Sequence, residues 1–242
     1  GLIKLTLVLT WVSRFWDGQI AEFSIGPLAD GINFYLKADA LGLFFAVIAS
    51  SLWLLTSFYS IGYMRGHHEH KQSRYYAAFA MSLASTMGIA LAGNLLTFLI
   101  FFELLTLSTY PLVVHSESRE GIRAARKYLA YTLPAGLALL AAAAWIYIRT
   151  GDLDFAAGGM GLAEHFGSGE IFVLFILLLI GTGVKAGIVP LHSWLPSAMA
   201  APTPVSALLH AVAVVKSGVF AVYRLVGYVI GPELLGKLHL DT

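Results

Sequence analysis

Apolar residues in this chain come in long, nearly unbroken blocks separated by short polar stretches. Neither the period of an amphipathic helix nor the alternation of a half-buried strand dominates. A short apolar run, Leu2–Val12, leads into a polar stretch, and six longer segments follow. They are Leu41–Met64, Tyr75–Ala92, Leu95–Val114, Tyr128–Ile148, Ile171–Pro190 and Val205–Ile230. Most reach the roughly 20 residues that a helix needs to cross a hydrocarbon core about 30 Å thick. The pattern predicts an all-α, polytopic transmembrane bundle of about six helices. Only Ala92-Gly93-Asn94 separate the second and third segments, so those two form an antiparallel hairpin.

Composition agrees with the pattern. Of 242 residues, 58% are hydrophobic and 12% charged, with a mean hydropathy of +0.77. Soluble domains carry about 25% charged residues, and half that density cannot cover a water-facing globule. The net charge of +1 gives no reason to expect nucleic acid or acidic substrates as partners. The absence of cysteine excludes disulfides, thiolate metal sites and cysteine-held iron–sulfur clusters. No dinucleotide fingerprint or serine-nucleophile motif is present. The string GTGVKAG lacks the Gly-Lys-Ser ending of a phosphate loop and lies inside an apolar segment. No cofactor and no redox site are expected. The chain opens on Gly1 directly before an apolar run, which reads as the tail of a helix in a fragment of a longer protein.

The loops suggest an orientation. Met64–Arg74 carries Arg65, Lys71 and Arg74, and His115–Lys127 carries Arg119, Arg123, Arg126 and Lys127. Alternation puts both loops on one side. The connections Arg14–Lys37, Ala92–Asn94 and Arg149–Glu170 fall on the other side and are neutral to acidic. By the positive-inside rule the basic loops face the cytoplasm. The histidines His67, His68 and His70 lie in the first basic loop. They read as a hydrated surface rather than a metal site, because no defined ligand spacing completes the set.

The segment Gly181–Pro204, GTGVKAGIVPLHSWLPSAMAAPTP, interrupts the pattern. Pro190 lacks a backbone donor and crowds the preceding turn, so the helix is expected to break near Val189. Trp194 suits the membrane interface. Irregular backbone at membrane depth persists only where protein or a wet cavity surrounds it, and a broken helix therefore points to an ion path.

Among the ionisable residues inside the apolar segments, four are candidates for chemistry. Glu103 is the sole charge in Leu95–Val114. At the bilayer centre it must be protonated, paired or hydrated. Lys185 lies one turn before Pro190, among Gly181, Gly183 and Gly187, which leave room for a close helix or for water. Snorkelling to the headgroups is its alternative role. Lys216 is near the middle of the last segment, too deep to snorkel easily. His210 precedes Lys216 by six residues, about 9 Å along a helix axis, and is alternatively a satisfied core histidine. Apolar surroundings favour a neutral amine and a nearby carboxylate favours the charged one. Altering the spacing of amine and carboxylate would thus make the amine release or capture a proton. Arginine could not serve, since it keeps its proton. These residues point to movement of protons or other monovalent cations, with a purely structural role for the charges as the rival.

The stretch VKAGIVPLHSWLPSAMAAPTPVSALLHAVAVVKSGVF closely resembles the antiporter-like membrane subunits of respiratory complex I and of Mrp-type cation/proton antiporters. NLLTFLIFFELLTLSTYPLV is similar to the glutamate-bearing helix of that family, and YLKADALGLFFAVIASSLWLLTSFYSIGYMR to its N-terminal region. The resemblance implies that Glu103 is the essential glutamate and Lys185 the lysine of the broken helix. It aligns Lys216 with a lysine on the next helix and His210 with a histidine there. It further implies the first of two inverted five-helix repeats. The N-terminal transmembrane region would then be residues 1–74, the five-helix unit 75–230, and the tail of a fragment 231–242. The function implied is proton translocation within a larger redox-driven complex, NADH-quinone oxidoreductase-like or hydrogenase-like, or within an antiporter. The partners would be other membrane subunits, the lipid bilayer, protons and sodium. Sodium/proton exchange with the cation on Glu103 is the alternative.

Overall fold

The computed structural model describes residues 1–29, 31–208 and 212–237. Its helices are α1 (Leu2–Trp16), α2 (Ala40–Gly66), α3 (Gln72–Leu91), α4 (Leu95–Val113), α5 (Arg119–Thr150), α6 (Ser168–Ala186), α7 (Trp194–Ala198), α8 (Thr203–Ala207), α9 (Val214–Arg224) and α10 (Pro232–Lys237). A π-helical stretch, Leu225–Ile230, continues α9. The chain is a multi-pass membrane protein built on these helices. Among the described residues α2, α4, α5 and α6 are long and apolar enough to cross a membrane.

Polar side chains fix where the long helices begin. Asp39 Oδ1 accepts from Gly42 N at 2.7 Å, Asn94 Oδ1 from Thr97 N at 2.8 Å, and Ser118 Oγ from Gly121 N at 3.0 Å. Each occupies a backbone donor that the first helical turn cannot satisfy internally. The α3–α4 hairpin forms as the short Ala92–Asn94 link requires, and α5 packs on α4 and α6. Large apolar side chains such as Leu55, Phe58, Leu137 and Ile148 point outward, as a lipid-facing surface requires.

The structure departs from the sequence pattern in four places. The pattern predicts only a polar connection over residues 14–37. They contain an antiparallel hairpin of β1 (Glu22–Ala29) and β2 (Ile32–Lys37). The hairpin crosses the tip of α3–α4, where Asn94 Nδ2 donates to Asn33 O at 2.9 Å and Tyr35 N to Thr97 Oγ1 at 3.1 Å.

The second departure is the start of α5, at Arg119 rather than Tyr128. Thirty-two residues make a helix of about 48 Å, longer than the hydrocarbon core. Arg119, Arg123, Arg126 and Lys127 therefore ride on a helical extension rather than in a loop.

The third is the end of α6. The helix stops at Ala186, where Gly187 takes a left-handed conformation (φ 76°) and its N–H returns to Gly183 O and Val184 O. Glycine tolerates this geometry without penalty. Pro190 follows in the turn, so glycine ends the helix and proline prevents its resumption.

Finally, the segment Val205–Ile230 is not one regular helix, since α8 ends at Ala207 and α9 begins at Val214. His210 lies outside the described residues.

Candidate functional site

Glu103 and Lys185 meet. Lys185 Nζ lies 3.5 Å from Glu103 Oε1, donates to the carbonyl oxygen of Phe102, and sits 3.6 Å from the centroid of the Phe102 ring. The lysine is 1% exposed and the glutamate side chain 26%, so the amine is sealed while the carboxylate stays partly open. A buried amine that faced only hydrocarbon would be very costly. Here a carbonyl, a carboxylate and an aromatic face share its charge.

Three glycines make the meeting possible. A Cβ on Gly136 of α5 would lie 2.6 Å from both Cδ and Oε1 of Glu103. On Gly181 it would be 2.8 Å from Leu139 Cβ, and on Gly218 of α9 it would collide with the backbone nitrogen of Ala186. Small residues thus let α5 close on α4, α6 on α5, and α9 on α6 around the pair, as membrane helices commonly do. Alanine at Gly218 is expected to destabilise the protein by about 1–3 kcal/mol through overpacking, despite its better helix propensity, because its Cβ would meet backbone atoms of Lys185 and Ala186 that cannot swing aside. The check is the thermal unfolding midpoint in detergent. A rise would show that α9 does not press on α6 at Gly218.

The break after α6 is closed by Trp194. The sequence suggests a place at the membrane interface, but Trp194 is fully buried and its Nε1 donates to Val184 O at 2.8 Å. It satisfies a carbonyl at the helix end, where irregular backbone needs protein around it. Tyr131 and Lys127 of α5 hold the following segment, with Ser193 Oγ donating to Tyr131 OH at 2.6 Å and Lys127 Nζ to Ser197 Oγ at 3.1 Å.

Lys216 does not join the pair. With Val219 and Tyr223 it forms the exposed stripe of α9, whereas Gly218 of the same helix faces Lys185.

Two further groups were not singled out from the sequence. Thr106 and Thr109 follow Glu103 at three and six residues, on one face of α4, and Thr109 Oγ1 is 2.7 Å from the buried Tyr128 OH. Ser82 Oγ donates to Ser108 Oγ at 3.1 Å beside them. The spacing of the threonines in an otherwise apolar helix was the available signal.

The second group is the ion pair of Arg224 with Asp39. Arg224 Nη1 bonds Asp39 Oδ2, Nη2 lies 3.1 Å from Oδ1, and the guanidinium is enclosed by Phe155, Phe220 and Tyr228. This pair ties the start of α2 to the end of α9. It is a bidentate, largely buried clamp rather than part of the Lys185 pair. Arg224 was legible as a second full charge, after Lys216, in the last apolar segment.

The fold and the site define a class of multi-pass helical membrane subunits with a buried lysine–carboxylate pair beside a broken helix. Residues 92–235 match the family described as NADH:quinone oxidoreductase/Mrp antiporter, TM, and residues 20–76 match the N-terminus of NADH-ubiquinone oxidoreductase (complex I), chain 5. The chain belongs to the NADH:quinone oxidoreductase/Mrp antiporter transmembrane family. It is 34% identical over 230 residues to a Na⁺/H⁺ antiporter subunit of Alkalihalophilus pseudofirmus, covering 93% of this chain and 28% of that protein. Its fold is similar to that of a subunit in the Mrp complex of a Dietzia species, with a TM-score of 0.82 at 26% identity over 97% of this chain and 26% of the other. A chain of the membrane-bound sulfane sulfur reductase, an archaeal respiratory complex, shares the fold at a TM-score of 0.77 and 23% identity, over 93% of this chain and 45% of the other. The chain spans about a quarter of the length of the curated relatives it matches.

Proposed function

We propose that this chain forms a proton half-channel within a subunit of an Mrp-type cation/proton antiporter, working beside other membrane subunits. The observation that carries the reading is the buried Lys185 amine held between Glu103 and the Phe102 carbonyl at a helix break. Protons enter from the side of the basic residues, which is the cytoplasmic side. The hydroxyls of Tyr128, Thr109 and Thr106 lead toward Glu103, and each can both donate and accept a hydrogen bond. Glu103 sets the charge state of Lys185 through their separation, and Lys185 exchanges its proton through ordered water with His210 and Lys216. Lys216 then delivers the proton from the outward face of α9. The name of the Alkalihalophilus relative supports sodium as the exchanged cation.

A second reading has sodium bind Glu103 directly, and the partial exposure of that carboxylate favours it. The test is Glu103→Gln in the assembled complex, read as sodium-driven proton movement in everted vesicles. The variant is expected to assemble normally and to lose most of that movement. A normal rate would leave the carboxylate as a packing element.

A further inference from the structure

The turn between α2 and α3 and the turn after α4 meet on the face that carries the basic residues. Glu69 and His70 come from the first turn and His115 from the second. One ligating atom of each lies within 4.8 Å of the other two. His115 Nε2 is 3.7 Å and His70 Nδ1 3.9 Å from Glu69 Oε2, and the two imidazole rings stack with centroids 5.1 Å apart. These distances are too long for hydrogen bonds. His115 is fully buried, and neither of its ring nitrogens has a hydrogen-bond partner among the described residues. A buried polar group without a partner costs free energy, and such groups are rare in folded proteins. The nearby Tyr75 ring, 5.4 Å away edge-on, supplies packing to His115 but no hydrogen bond.

We propose that Glu69, His70 and His115 form a binding site for a divalent transition-metal cation such as zinc, which would pin the α2–α3 turn to the exit of α4. Two imidazoles and one carboxylate are a donor set that zinc accepts, with the fourth position left to water. Zinc–ligand bonds of about 2.0–2.2 Å in a tetrahedron put ligand atoms about 3.4 Å apart. The 3.7 and 3.9 Å pairs therefore need a few tenths of an ångström of closure, and the pair of imidazole nitrogens, within 4.8 Å of each other, also needs a turn of the exposed His70 ring. The partly exposed His70 and Glu69 can supply the movement while the buried His115 stays fixed.

The adjacent cations do not block the site. Glu117 takes up both, at 2.5 Å from Lys71 Nζ and 2.7 Å from Arg74 Nη1. Arg74 also donates to the backbone carbonyl of His115 at 3.4 Å, steadying the ligand's position.

Zinc titration of the purified complex against a competing chelator tests the site. Wild-type protein is expected to hold one more tightly bound zinc per copy of this chain than the Glu69→Gln or His70→Asn variants. Each of these should weaken that zinc by at least about 100-fold, since losing a ligand costs more than losing one of its outer-shell partners. Both positions are partly exposed, so the substitutions should leave the fold intact. His67→Asn and His68→Asn, in the same turn but outside the cluster, should bind as wild type. Equal zinc content and affinity in wild type, Glu69→Gln and His70→Asn would overturn the proposal. So would an affinity that falls only with His67 or His68.

Discussion

Replacing Lys185 by arginine is expected to reduce proton movement through the assembled complex by at least about 100-fold, the scale on which a positioned proton-transfer group contributes. The substitution keeps the positive charge but removes the ability to give up the proton at physiological pH. A snorkelling lysine would tolerate it, since arginine reaches the headgroups as well or better. Lys185 does not snorkel. It is 1% exposed and turned inward onto Phe102 and Glu103. The larger guanidinium also has to fit where Gly218 brings α9 against Ala186, so complex assembly must be read alongside transport. Intact assembly with lost proton movement is the expected result. Near-normal movement would remove Lys185 from the path and leave Lys216 as its only lysine.

The largest loss of stability is expected for Asp39→Ala. Removing one member of a buried ion pair costs about 3–5 kcal/mol, because the other charge is left buried and unpaired. Arg224 would be that charge, at 1% exposure among Phe155, Phe220 and Tyr228. Asp39 itself is 17% exposed, so water can compensate in part and the lower end of the range applies. Loss of the cap on α2 adds about 1 kcal/mol. The thermal unfolding midpoint in detergent should fall markedly for Asp39→Ala and recover in the double variant Asp39→Ala/Arg224→Met, which buries no charge. A double variant as unstable as the single one would show that the cap, not the ion pair, holds the two ends together.

The sequence by itself determined the membrane class, most of the spanning segments, the α3–α4 hairpin and the break in the neighbourhood of Pro190. It also marked Glu103 and Lys185. Each of these follows from a rule that acts on one stretch of chain. Hydrocarbon admits only long apolar helices with satisfied backbones, so a lone charge or a proline inside one stands out.

What pairs with what was decided by the tertiary structure. Lys185 finds Glu103 across 82 positions, Arg224 finds Asp39 across 185, and His115 comes beside Glu69 and His70 from another turn. The rotation that turns Lys185 inward and Lys216 outward belongs here too, as does the burial of Trp194. A helix that is apolar on every side carries little periodic signal for which face meets its neighbour. That choice is made by close contact at Gly136, Gly181 and Gly218, and it exists only once the helices are packed.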